Sequence, residues 1–343
     1  MKGLKAGILS ATLLVLAMIA SSCEPESIPL TMQVRDVVWR PSGGFVAMIS
    51  GYGKTGRTAN TFGGQPRTGW VPAIFNENGE LIKALVTSGR QSFNQSGQLF
   101  LIEDGKKAVV ELQGNLQAID LESGEIELIK EGVMPIAVSP DGSLAIVREV
   151  QPLTSAPGTF NAGFQLFDLT TRSTRRSWRV TGATPEQQGL WLGNGLFALG
   201  SFLDATSSIA LYDTLGEQLY IIPNAKLQQH SAAYSPVKDV LYYVNLSGQL
   251  IAIDLKTFEV TLIARNQVAF SVDGTKDGTR LYIVGEGSRK LPTLFAIDLV
   301  NSTISELRRY VNKEVFLSPD ESKVGCISYK KDSYDPIEVV AVQ

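Results

Sequence analysis

Ile136–Val147 reads IAVSPDGSLAIV: an alternating apolar run, a Pro-Asp-Gly turn and a second alternating run. Proline presets φ at the first corner of a tight turn, aspartate accepts local backbone hydrogen bonds, and glycine tolerates positive φ. Period-two alternation on both sides makes the flanks two strands of one hairpin. Val315–Ser328 (VFLSPDESKVGCIS) repeats the unit. Looser copies turn at Pro41-Ser42-Gly43, Glu103-Asp104-Gly105, Gly193-Asn194-Gly195, Pro236-Val237-Lys238 and Asp277-Gly278.

Between these turns lies a second hairpin signal, an apolar run followed by Asp and a short polar turn. It occurs as LQAIDLESGEIELI (116–129), FQLFDLTTRSTRRS (164–177), IALYDTLGEQLYII (209–222), LIAIDLKTFEVTLI (250–263) and LFAIDLVNSTISEL (294–307), and more loosely as PAIFNENGELIKAL (72–85). Strands alone, repeating every 40–50 residues or so, predict an all-β chain: a single seven-bladed β-propeller of four-stranded antiparallel blades. The degenerate turns in LWLGNGLFALG and AYSPVKDVLYYV leave six or eight blades open. No stretch carries the apolar helical periodicity of a second domain, so 28–343 reads as one ring.

The ends bear on how that ring closes. Ile337–Gln343 (IEVVAVQ) looks like a third strand without a fourth, and Ile28–Val34 (IPLTMQV) like a strand without a blade. Joining them completes blade 7 and removes an exposed edge, so we expect the N-terminal strand to close the ring. That arrangement brings the chain in on the face carrying the tight hairpin turns.

Residues 1–22 read as an export signal: Lys2 and Lys5, the apolar run Ala6–Ala20, then Ala20-Ser21-Ser22 before Cys23. A cysteine at that junction resembles the bacterial lipoprotein lipobox, with Ala20 where that family usually has Leu. The resemblance implies cleavage before Cys23, acylation of its thiol, and residues 23–27 as a lipidated tether; two or more acyl chains anchor a domain stably. Glu24 in place of Asp points to the outer membrane. The alternative is an ordinary secretory peptide.

The formal net charge is −3, and losing Lys2 and Lys5 takes it near −5. A mildly acidic chain without a dense basic stripe argues against nucleic acid as a partner. With Cys23 acylated, Cys326 is alone and no disulfide is available; its apolar setting (KVGCISY) reads as a buried inert thiol.

The SPDG-x-L and AIDL-x-(S/T)-G elements resemble the WD40-like repeats of TolB-type and YncE-type bacterial propellers. The likeness spans the mature chain, although none of the four tryptophans precedes Asp as in true WD40 repeats. It implies an exported propeller that binds partners in the cell envelope.

Function rides on variable loops over a rigid scaffold, which here means the face opposite the hairpin turns. Gly51–Gly69 carries Lys54, Arg57 and Arg67 without an acid, and GEGSRKLP and YKKDSYDP add Arg289, Lys290, Lys330 and Lys331. These belong to blades 1, 6 and 7, adjacent in a closed ring, and form a basic arc suited to an anionic partner. Nearer the axis, loops between blades offer Asp36, Asn94, Gln188, His230, Asn266 and Lys313. That set suits hydrogen bonding rather than calcium or a metal centre, and no cofactor is expected. Tyr52, Phe62, Trp70 and Tyr334 supply aromatic groups on the same face. His230 is the only histidine, with Ser231 beside it and no evident carboxylate to orient it. The resulting expectation is a membrane-anchored, non-catalytic binding or scaffold propeller with an envelope protein partner. The alternatives are a lactonase- or lyase-like enzyme using His230, which requires a shifted carboxylate near that histidine, and a binder of an anionic envelope glycan.

Overall fold

In a computed structural model, residues 31–342 are described except 53–70, 86–97, 151–160, 182–187, 194, 204–205, 226, 228–229, 265–267 and 329–336. Lipidation at Cys23, the loop lysines and arginines at 54, 57, 67, 330 and 331, and Asn94 and Asn266 fall outside them.

The strands form seven antiparallel sheets, six of four strands and one of three. Blade 1 comprises β1 (Thr31–Trp39), β2 (Phe45–Tyr52), β3 (Val71–Phe75) and β4 (Leu81–Ala84). Blade 2 holds β5 (Phe100–Ile102), β6 (Lys107–Leu112), β7 (Asn115–Asp120) and β8 (Ile126–Lys130). Blade 3 holds β9 (Val133–Val138), β10 (Leu144–Glu149), β11 (Asn161–Asp168) and β12 (Ser173–Thr181). Blade 4 holds β13 (Gly189–Trp191), β14 (Leu196–Leu203), β15 (Thr206–Asp213) and β16 (Gln218–Pro223). Blade 5 holds β17 (Ala232–Ser235), β18 (Val240–Val244), β19 (Leu250–Asp254) and β20 (Val260–Ala264). Blade 6 holds β21 (Ala269–Gly274), β22 (Arg280–Glu286), β23 (Pro292–Asp298) and β24 (Thr303–Arg309). Blade 7 holds β25 (Val311–Leu317), β26 (Lys323–Ser328) and β27 (Ile337–Ala341).

Every turn read from the sequence joins the strands it was expected to join. In SPDG, the Ser139 hydroxyl donates to Asp141 Oδ1 (2.5 Å) and accepts from the Leu144 N–H (2.9 Å), which locks the corner. Ser318 with Asp320, and Thr275 with Asp277, repeat the device. At the second hairpin each Asp accepts two backbone N–H groups: Asp254 Oδ1 takes those of Lys256 and Thr257, both at 2.8 Å. Asp120, Asp168, Asp213 and Asp298 do likewise, and Asn76 stands in for them in blade 1. The repeated aspartates are thus structural punctuation.

Burial follows the seams between blades, with one apolar cluster at each of seven junctions. The cluster between blades 7 and 1 closes the ring. There Phe45 and Phe316 meet edge to face at 5.5 Å, and Trp39 Nε1 donates to the Phe316 carbonyl at 3.1 Å. Lys323 pairs with Glu77 across the same seam at 2.8 Å.

This closure corrects the expectation from the termini. Thr31–Val34 do not extend blade 7; they pair with Ile49–Tyr52 as the start of β1, the first strand of blade 1. Ile28–Leu30 lie outside the described residues. The cause is local: the stretch from Thr31 to Trp39 continues without a turn into the β1–β2 hairpin, so its hydrogen bonds are claimed by β2. Orientation reverses with it. The tight turn lies at the end of β1, so the strand begins on the opposite face, and the chain enters on the loop face.

Candidate binding site at the axial mouth

First strands of neighbouring blades touch around the axis. Four of them lose register with their partners: β1 between Arg35 and Val38, β9 between Pro135 and Ala137, β21 between Ala269 and Ser271, and β25 between Val311 and Val315. In β25, Asn312, Lys313 and Glu314 together face the single residue Ile327. Such bulges re-aim side chains and occur disproportionately at functional sites.

Between the bulges of β1, β21 and β25 opens a cavity of about 560 Å³ on the loop face. Its polar wall is Arg35, Asp36, Gln188, Ser231 and Glu314, and the turn Asn245–Gly248 forms its lip with Val268. Leu246 and Val268 are 54% and 40% exposed, so the lip mixes these apolar side chains with the polar Asn245 and Ser247.

Adjacent strand residues normally point to opposite faces. At the β1 bulge, Asp36 adopts φ of +55°, and its Oδ2 comes within 3.0 Å of Arg35 Nε. Both groups pay in hydration. Burial pushes the Asp36 carboxyl up to about 6 against the pull of Arg35. Burial also lowers the Arg35 guanidinium, countered by Asp36 and Glu314. Glu314 is pushed up to about 8, first by burial and then by the Asp36 charge, with Arg35 pulling back. Glu314 Oε2 and Gln188 Oε1 are sealed from solvent and have no hydrogen-bond partner in the protein.

His230 is placed differently from expectation. Ser231 lines the cavity, while the His230 ring lies 6.1 Å from the Phe316 ring, and its Nε2 is buried without a partner. Burial pulls its pKa down to about 4, so it is neutral at pH 7. Its carbonyl accepts the Val272 N–H at 2.7 Å, which ties blade 5 to blade 6.

Of the sequence candidates, Asp36 and Gln188 line the cavity. Lys313 sits in the β25 bulge, but its side chain lies outside the description; its neighbour Glu314 is the residue that lines the site. Lys290 is exposed at the end of a 3₁₀ turn, Ser288–Lys290, and only the backbone of Arg289 is described. Arg35 and Glu314 escaped the sequence reading. Their signal was a charged pair interrupting each inner strand, Arg35-Asp36 in VRDVVW and Lys313-Glu314 in NKEVFL.

Among the described residues no three His, Cys, Asp or Glu side chains converge in a way that would hold a metal. Cys326 is fully buried, and burial drives its pKa up to about 12.

No family model matches the chain, and no curated protein matches it. Solved structures do. An oligogalacturonate lyase in complex with manganese is 13% identical with a TM-score of 0.58, over 92% of this chain and 97% of that one. The oligogalacturonate lyase of Vibrio parahaemolyticus is 12% identical with a TM-score of 0.57, over 91% and 96%. At such identity the likeness establishes the propeller fold and nothing about chemistry.

Proposed function

We propose that the chain is a lipid-anchored, non-catalytic binding module of the bacterial envelope that receives its partner at the axial mouth. The observation carrying this reading is the cavity between bulged inner strands, whose deep acceptors have no partner within the protein. Anchoring rests on Cys23. Seven residues separate it from Thr31, a reach of roughly 25–30 Å at most. Because β1 starts on the loop face, the tether draws that face towards the membrane. Lys54, Arg57, Arg67, Arg289, Lys290, Lys330 and Lys331, the cations that the sequence assigns to that face, suit anionic headgroups. Crosslinking in membranes tests this with Cys23→Ala and with Ser247→Trp, which places an indole on the exposed lip. Loss of the same partner in both variants supports the reading; full capture by Ser247→Trp contradicts it.

A second reading is a propeller enzyme, favoured by two carboxyl groups with raised pKa values on one cavity, the pattern of acid–base pairs. The structural neighbours are lyases acting on an acidic sugar chain. Two carboxyl groups against one guanidinium among the described lining side chains are poorly matched to that substrate. His230 is also set back from the cavity wall. Turnover of oligogalacturonate, abolished by Glu314→Gln, favours this reading over binding.

A further inference from the structure

We propose that β12, the outer strand of blade 3, is a docking strand for an acidic segment of a partner protein. The segment lies extended along its open edge, and Arg176 and Arg179 take its carboxylates.

Sequence sets this strand apart from its counterparts. Between Asp168 and Glu186 the chain carries Arg172, Arg175, Arg176 and Arg179 without an acid, in a protein of net charge −3. β12 runs for nine residues, whereas the other outer strands run for four to seven. It ends its sheet, so one side of its backbone has no strand partner among the described residues.

Ion pairing then divides the arginines, all four of which are exposed. Arg172 pairs with Glu127 of blade 2, and Arg175 with Asp168 at 2.5 Å. Arg176 and Arg179 form no ion pair among the described residues, not even with Glu149 or Glu217 on the adjoining elements. Glu149 accepts from Gln165 instead. The outer strand of blade 6 is the contrast, since Arg308 and Arg309 are satisfied by Glu338 and Glu306. Two unclaimed guanidinium forks on an open edge are matched by carboxylates.

Geometry selects the form of the ligand. Arg176 lies opposite Leu166 and shares with Trp178 the face turned to blade 4, where Trp178 meets Phe197 at 5.7 Å. Arg179 lies opposite Gly163 and stands on the other face. The free cations are thus about 10 Å apart along the strand and split between its two faces. A peptide strand added to the edge divides its own side chains in the same way. Glutamates three apart reach both arginines while the backbone completes the ladder. A second copy of β12 would instead set arginine against arginine, and an anionic sugar chain or membrane surface brings no ladder.

Calorimetry and amide hydrogen exchange on the purified full chain test the proposal. The probe is an eight-residue peptide of alternating valine and threonine with glutamate at its third and sixth positions. Its counterparts carry glutamine there, or N-methyl groups on alternate amides. At low salt the glutamate peptide should bind about fivefold or more tighter than the glutamine one. It should also slow exchange at alternate amides of β12. The double variant Arg176→Gln, Arg179→Gln should lose the preference without a change in melting, because both side chains are exposed. Ser247→Trp, at the axial mouth, should leave it intact. Equal binding of the two peptides, a preference that survives the double variant, or unchanged exchange along β12 overturns the proposal. So does undiminished binding of the N-methylated peptide. Tighter binding of trigalacturonate or of phosphatidylglycerol vesicles than of the glutamate peptide also overturns it, in favour of a glycan or a membrane.

Discussion

Arg35 Nε lies 3.0 Å from Asp36 Oδ2, an ion pair between residues that a regular strand would point to opposite faces. The bulge in β1 and the positive φ of Asp36 make the contact, and together they place a charged pair at the axis of an otherwise apolar ring. A left-handed conformation outside glycine costs about 1–2 kcal/mol, least for Asn and Asp. Its persistence here marks the mouth as a site where geometry outranks stability.

Replacing Asp36 separates backbone from charge. Asp36→Asn removes the carboxylate but tolerates φ of +55°, whereas Asp36→Ala loses both. Alanine should destabilise more than asparagine by about 1 kcal/mol in denaturant titration. Equal effects would mean that the turn is not strained.

Stability should fall with pH in a defined window. Glu314 moves from its ordinary 4.5 up to about 8, so the folded state holds the extra proton between those values and loses stability as pH rises through them. Asp36 and Asp273, raised to about 6, act in the same direction at lower pH. His230, lowered from 6.5 to about 4, opposes them: the folded state binds fewer protons, so stability rises with pH up to about 6.5. From 6.5 to about 8, Glu314 is the one of these four still titrating. Across that interval the protein should lose on the order of 1 kcal/mol. Glu314→Gln should be flat there, and parallel slopes for the two proteins would remove Glu314 from the account.

The seam between blades 7 and 1 carries the closure. Gly79 has φ of +85°, and an added Cβ would stand 2.0 Å from the Ile337 carbonyl oxygen. Gly79→Ala should therefore lower stability by about 1–3 kcal/mol. Phe316→Ala, which empties the same cluster, should cost about 3–5 kcal/mol. Thermal melts unchanged in both would refute side-chain closure of the ring.

In protein carrying Cys23→Ala, Cys326 should resist thiol reagents until the chain unfolds, because it is buried with its pKa driven up to about 12. Rapid labelling under native conditions would show blade 7 opening far more readily than its packing implies.

Blade count and hairpin positions were legible because turn chemistry is local: a Ser-Pro-Asp-Gly corner or an Asp-capped hairpin announces itself within five residues. Ring closure was not, because the choice between β2 and β27 as partner for Thr31–Val34 depends on contacts between residues distant in sequence, such as Trp39 with Phe316. The site was half legible. Asp36 and Gln188 stood out as polar groups near the axis, but the β25 bulge decides that Glu314 lines the cavity. Strand alternation cannot report a bulge that it does not contain, although adjacent charges inside two inner strands were its trace.

Amide chemical-shift mapping on the isotope-labelled protein tests the central claim, that the axial mouth on the loop face is the functional site. On addition of the envelope partner identified by crosslinking, the account predicts shifts concentrated at Arg35, Asp36, Ser231, Glu314 and the Asn245–Gly248 turn, and their disappearance in Ser247→Trp. Shifts confined to the hairpin turns or to the outer strands β8, β16 and β24, with the mouth unmoved, would contradict it.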